Sequence, residues 1–157
     1  FLHRKREYMF SKSCEYAIKA LIFVAQKSNA DKRASIIDIA EGTDAPVHFI
    51  AKIMQALSRR KLVLSVKGPN GGFFMTDKEN ETSLSEIVKV FDGDALFTDC
   101  VLGLKACSEK TSCPMHNDYK SIKANIIHLI EFNTIGSIQK RMDMNLFFPR
   151  KTSNHFL

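Results

Sequence analysis

Three of the chain's four cysteines fall in one polar stretch, DCVLGLKACSEKTSCPMHNDY, at Cys100, Cys107 and Cys113, and His116 follows the last by three residues. Thiolates and imidazoles are the donors that soft and borderline metals prefer. Three explanations compete for the cluster: a disulfide, a metal or iron–sulfur site, or chance. A disulfide leaves one of the three loop thiols unpaired. The spacing Cys-x6-Cys-x5-Cys-x2-His is wider than the pairs of zinc knuckles, whose ligands stand two to four residues apart. A polar loop can still fold three thiolates around one centre. Tetrahedral zinc accepts three Cys and one His, and so does an iron–sulfur cluster. Spacing alone does not choose between them. A cluster within reach of solvent can be oxidised, nitrosylated or lost, which suits a sensor. The fourth cysteine, Cys14, lies among apolar residues and reads as a small buried thiol.

Composition narrows the setting. The chain has 157 residues, 45% hydrophobic and 25% charged, which is the profile of one ordinary globular domain with room for an oligomerisation element. The net charge of +6 and pI of about 9.2 favour a polyanionic partner, nucleic acid first. No stretch approaches the ~20 apolar residues that span a bilayer, and FLHRKREY is too polar for a signal peptide. The expectation is a cytoplasmic protein with no membrane partner, where clustered cysteines bind metal or sense redox state. Met9 is a candidate natural start, with residues 1–8 an upstream extension.

The elements that must position the thiols can be read in order. Residues 11–27 form a first helix, capped by Ser11 or Ser13 and apolar on most sides. Ser35 opens a short helix with Asp38 completing a capping box, and Gly42 is placed to close it. Pro46 suits the first turn of a third helix. There Phe49, Ile50, Ile53, Met54 and Leu57 make one apolar stripe. The opposite face carries His48, Lys52, Gln55 and Arg59, with Arg60 following. LVLSV reads as a strand, KGPNGG as a glycine-rich turn and FFMT as a return strand. Helix, turn, helix and a hairpin tipped by Lys67, Gly68, Asn70, Gly71 and Gly72 is the layout of a winged helix.

Ser83 and Glu86 then cap a helix with Leu84, Ile87, Val88 and Phe91 on one stripe, ended by Gly93. The cysteine loop runs from about Asp94 to Asn117. The helix after it carries Ile122, Ile126, Ile127, Leu129 and Ile130. A helix so apolar, outside the winged unit, needs a cover, and the same helix of a second subunit is the simplest one. The tail from Met142 has no clear period and is expected to be mobile. The fold expected is mainly α: a winged helix-turn-helix domain over 9–80 with a two-stranded β wing, then the cysteine loop and a long C-terminal dimerisation helix over 81–140, and a tail over 141–157.

With these segments together, the chain resembles the IscR- and NsrR-type winged-helix regulators, the Rrf-two family. The likeness spans roughly Met9 to Ser137. It rests on SKSCEYAIKALIFVA, APVHFIAKIMQALSRRKLV, the wing VKGPNGGFFM, SLSEIVKVFDG, the loop ending CPMH, and NTIGSI as the close of the long helix. The resemblance implies a homodimeric transcription factor that reports iron–sulfur, nitric oxide or redox status through a cysteine-ligated cluster, [2Fe–2S] favoured and [4Fe–4S] possible. Cys100, Cys107 and Cys113 fall on the family's ligand positions. The fourth ligand varies: His116 matches the IscR-like pattern, and Glu15 stands where the NsrR-like pattern takes a carboxylate from the partner subunit. The first gap of six residues is one longer than in IscR, which leaves cluster type open.

These features give a DNA-binding regulator, a repressor in the favoured reading, that docks Pro46, His48, Lys52, Gln55, Arg59 and Arg60 in a major groove and the wing beside it. Two-fold symmetry calls for a palindromic operator. The alternative is a cluster-free or zinc-bound winged-helix regulator or adaptor, controlled by a partner protein or by thiol oxidation. An enzyme fits poorly: the sequence has no nucleotide-binding glycine loop, no paired acidic motif and no Ser-His-Asp set.

Overall fold

The computed structural model describes residues 9–148. Among them are nine helices and a two-stranded antiparallel sheet, built around one hydrophobic core. Helix α1 (Lys12–Asn29) is its axis. The Ser11 hydroxyl accepts the Cys14 N–H at 3.1 Å and starts it. Cys14, Ala17, Ala20, Leu21, Val24 and Ala25 are wholly buried along it, because α2, α3, α5 and α8 all pack around it.

Helix α2 (Ile36–Thr43) begins at the expected capping box of Ser35 and Asp38. Its end differs from the sequence reading. Gly42 lies inside the helix, and Asp44 takes the left-handed conformation at φ 52°. Gly42 is needed for space: a Cβ there would sit 2.3 Å from Cε2 of Phe23 on α1. Helix α3 (Val47–Arg59) follows, with the Pro46 carbonyl accepting the first helical N–H groups. Ile50, Ile53, Met54 and Leu57 are buried as the stripe requires, and Phe49 meets Tyr16 edge-on at 5.5 Å.

The wing is β1 (Leu64–Val66) against β2 (Gly72–Phe74), with Ser65 opposite Phe73. Both strands are shorter than expected. A third segment joins them: Ala34 and Phe73 exchange backbone hydrogen bonds of 3.0 and 2.8 Å. Gly72 permits this approach, since it has φ +139° and a Cβ would lie 2.9 Å from the Ala34 carbonyl oxygen.

A short α4 (Asp77–Asn80) leads to α5 (Leu84–Asp92), capped by Ser83 and Glu86 and ended by Gly93. Then come α6 (Ala95–Thr98), the cysteine loop and the long α7 (His116–Phe132). NTIGSI does not close the long helix. Asn133 is extended, and Thr134 opens a separate α8 (Ile135–Arg141) that buries Ile135 and lies on α1, where Asn29 bonds Gln139 at 2.8 Å. The start of the tail is ordered structure as well: α9 (Met144–Phe147) buries Met144, and Phe148 packs on Phe23 at 6.2 Å. Residues 1–8, including the question of the native start before Met9, and residues 149–157 of the tail lie outside the described residues. Among the described residues, no helix is long and apolar enough to cross a membrane.

Candidate metal centre and nucleic-acid interface

The cysteine loop hangs between two fixed ends. The short α6 follows Gly93, and Lys123 on α7 donates to the Asp99 carbonyl just beyond it at 3.2 Å. At the far end the Cys113 carbonyl accepts the His116 N–H at 3.0 Å, which sets the first residue of α7. Folding between these anchors brings all three loop thiols together, with their Sγ atoms within 4.8 Å of one another. Cys100 Sγ is 3.8 Å from Cys113 Sγ. The Cys113 N–H donates to Cys107 Sγ at 3.4 Å, and Cys107 Sγ lies 3.3 Å from His116 Nδ1. The four residues are half-buried and line a cavity of about 350 Å³ together with Asp99, Tyr119 and Lys123.

The thiols are not equivalent. Backbone N–H groups of Leu104 and Leu102 aim at Cys100 and draw its pKa down to about 7. The Cys113 N–H pulls Cys107 the same way, but burial and the neighbouring thiols of Cys113 and Cys100 hold it above the ordinary value. Cys14 is pushed up to about 12, first by burial and then by the charges of Asp92 and Glu15. Three clustered, partly exposed thiols with one imidazole in contact are a donor set that suits a thiolate-held metal ion or iron–sulfur cluster. Cys14 is not, being a buried, protonated thiol on α1. Glu15, in the first turn of α1, is paired with Lys12 at 2.9 Å and lies outside the thiol group of its own chain.

The donor-rich face of α3 is open. His48, Lys52, Gln55, Arg59 and Arg60 are exposed, with Pro46 at the head of the same helix. Lys67, Gly68 and Asn70 project at the wing tip, and Gly71 and Gly72 are half-buried behind it. The Gly71 N–H bonds the Gly68 carbonyl at 2.9 Å and closes the turn.

The apolar residues of α7 divide. Ile122 and Leu129 are each 56% exposed, Ile126 and Ile127 are half-buried, and Phe132 is 71% exposed. Ile130 departs from the expected interface set. It is only 1% exposed, because that side of α7 packs on α5 and completes the chain's own core.

Three positions escaped the sequence reading. Arg33, before α2, bonds the Asn70 carbonyl at the wing tip. Glu109 faces His116 and pairs with Lys120 at 2.8 Å, and Lys120 and His116 hold its carboxyl below the usual range. The available signal was slight: an acid two residues after Cys107, and a lysine one helical turn after His116.

Comparison with known proteins agrees with this arrangement. The family model that matches residues 10–141 is Rrf2, described as an iron-dependent transcriptional regulator. An HTH-type transcriptional regulator of Aquifex aeolicus is 30% identical over 141 residues, covering 88% of this chain and 96% of that one. The regulator NsrR of Oceanobacillus iheyensis is 23% identical over 130 residues, covering 82% and 88%. The solved structure of CymR, the global cysteine regulator of B. subtilis, superposes with a TM-score of 0.72 at 17% identity, over 87% of this chain and 99% of that one. IscR of T. potens gives a TM-score of 0.65 at 20% identity, over 86% and 88%. The structural likenesses show the shared winged-helix fold.

Proposed function

Because the chain belongs to the Rrf2 family of iron-dependent transcriptional regulators, we propose that it is a homodimeric repressor whose grip on palindromic duplex DNA answers to iron–sulfur supply, nitric oxide or redox state. As a member of that family it is a DNA-binding regulator and not an enzyme. Its work places it with the DNA in the cytoplasm, where thiols are kept reduced. The observation that carries the sensing role is the meeting of Cys100, Cys107 and Cys113 within 4.8 Å, with His116 on Cys107, at the root of α7.

When bound, an iron–sulfur cluster supplies a centre that changes charge or is lost on reaction with nitric oxide or oxidants. A [2Fe–2S] cluster is the favoured occupant, a [4Fe–4S] cluster the next, and zinc the alternative. The three loop cysteines hold the centre as thiolates and His116 is the favoured fourth donor. Glu15 of the partner subunit is the competing one. The exposed face of α3 enters a major groove through His48, Lys52, Gln55, Arg59 and Arg60, from the helix start at Pro46. Lys67, Gly68, Asn70, Gly71 and Gly72 bring the wing to the neighbouring backbone. Ile122, Ile126, Ile127 and Leu129, joined by Phe132, face the second subunit. The loop lies between α5 and this dimer helix, so occupancy can tilt the two reading heads relative to each other. Such coupling is worth about 1–3 kcal/mol in operator affinity.

The test compares wild type with Cys107→Ala after anaerobic iron–sulfur reconstitution, by visible absorbance and by operator affinity. Wild type should colour and shift its affinity, and the variant should do neither. A colourless wild type that binds DNA as the variant does removes the sensing role. The 3.8 Å between Cys100 and Cys113 favours thiol oxidation as the second reading, with no cluster at all. Metal analysis of the anaerobically purified protein separates iron, zinc and neither.

A further inference from the structure

His116 sits between two groups with opposite demands on its ring. Nδ1 stands 3.3 Å from Cys107 Sγ, on the side of the thiol triad. Nε2 is buried and makes no hydrogen bond, and Glu109 Oε1 faces it at 3.5 Å. Glu109 does not stand alone: Lys120 Nζ holds the same oxygen at 2.8 Å. Lys120 is one turn along α7 from His116, so the helix that carries the imidazole also carries the group that fixes the carboxylate.

A neutral imidazole bears one proton, and only the nitrogen without it offers a lone pair to a metal. An ionised carboxylate accepts hydrogen bonds and cannot donate them. Glu109 therefore favours the proton on Nε2, and the free lone pair is left on Nδ1, where the thiols are. Carboxylate partners behind a ligating histidine orient the ring and raise its basicity. On the reading that the triad and His116 hold a metal centre, we propose that Glu109, braced by Lys120, is a positioning residue that fixes His116 as the Nε2–H tautomer and makes Nδ1 the fourth donor. Glu109 and Lys120 are 70% and 60% exposed, so their ion pair contributes little stability itself. Its effect is exerted through His116.

Two measurements on the full chain test this. The first uses metal-free protein carrying ¹⁵N-labelled histidine, at pH 8. Wild-type His116 should show the proton on Nε2, and Glu109→Ala should shift the population toward a mixture of tautomers. A wild-type ring protonated on Nδ1, or one unmoved by the substitution, overturns the proposal. The second follows loss of iron to a chelator from the anaerobically reconstituted protein. Glu109→Ala should hasten it about tenfold, the low end of what outer-shell partners contribute. Glu109→Gln should stay near wild type, because its amide oxygen also favours a proton on the facing Nε2. In a His116→Ala background the Glu109→Ala change should add nothing. An equal acceleration there means Glu109 merely steadies the loop and rejects the positioning role. A wild type that takes up neither cluster nor zinc refutes the metal-centre reading and the donor role with it. The tautomer measurement, which needs no metal, then shows separately whether Glu109 sets the ring.

Discussion

Arg33 Nη1 donates to the Asn70 carbonyl at 2.9 Å, so the loop between α1 and α2 holds the tip of the wing. The same guanidinium lies 5.6 Å above the Phe74 ring, and next to it Ala34 pairs with Phe73. The wing is thereby tied to the helix-turn-helix at three points. Arg33→Ala should free the tip and weaken operator binding by about 1 kcal/mol, roughly fivefold. Lysine keeps the charge but lacks the planar guanidinium that donates to the carbonyl while lying over the ring. Arg33→Lys should therefore restore little of the affinity. Fluorescence anisotropy of labelled operator, read beside amide exchange in residues 67–73, checks this. Full rescue by lysine would mean that Arg33 acts only as a charge near phosphate.

A second substitution tests the glycine that the helix rule misassigned. Gly42→Ala should gain about 0.5–1 kcal/mol from helix propensity. Against that stands a Cβ 2.3 Å from the Phe23 ring, which is itself only 8% exposed. Displacing a packed ring costs about 1–3 kcal/mol. The sum is destabilising by about 1 kcal/mol, visible as a lower urea midpoint with an unchanged slope. A variant as stable as wild type would show that the ring swings aside freely.

Local chemistry made much of this fold legible. The Ser35–Asp38 and Ser83–Glu86 capping boxes marked two helix starts, and the stripe of α3 marked its buried face. The Asn-Gly step marked the hairpin. What failed depended on distant partners. Gly42 looks like a helix stop until Phe23, nineteen residues earlier, is packed against it. Ile130 cannot be told from Leu129 until α5 takes one side of α7. The break between α7 and α8 is marked only by Thr134 with Ser137, a weaker capping pair than one with Glu. In the site, the clustering of thiols was legible because cysteines are rare and the loop short. Glu109 was not, since an exposed acid in a polar loop is ordinary until its partners are placed.

The split face of α7 gives paired predictions. Leu129→Glu places a charge in the apolar stripe with Ile122 and Phe132, and should convert a dimer to a monomer without unfolding it. Ile130→Ala should do the reverse. Removing methylenes from the chain's own core should cost about 2–4 kcal/mol of stability and leave the association state intact. Sedimentation equilibrium and thermal melts separate the two. A Leu129→Glu protein that remains dimeric would place the interface elsewhere.

The unequal thiols contribute to the pH dependence of the metal-free protein. Cys100 is lowered from 9.0 to about 7 by the Leu104 and Leu102 N–H groups, so the fold binds its thiolate better than its thiol. That contribution to stability is full above pH 9 and disappears as pH falls through about 7. Reactivity follows the same curve, because the thiolate is the nucleophile. Alkylation of Cys100 by iodoacetamide should rise with a midpoint near pH 7. Cys14, raised to about 12, should stay unmodified at pH 8 until the chain unfolds. In guanidinium the four thiols should react alike, with midpoints near 9. Loading the loop with metal should protect Cys100, Cys107 and Cys113 together. Mass spectrometry of peptides labelled between pH 6 and 9 reads all of this at once. Cys100 titrating near 9 in the folded protein would show that the two backbone donors do not reach its sulfur.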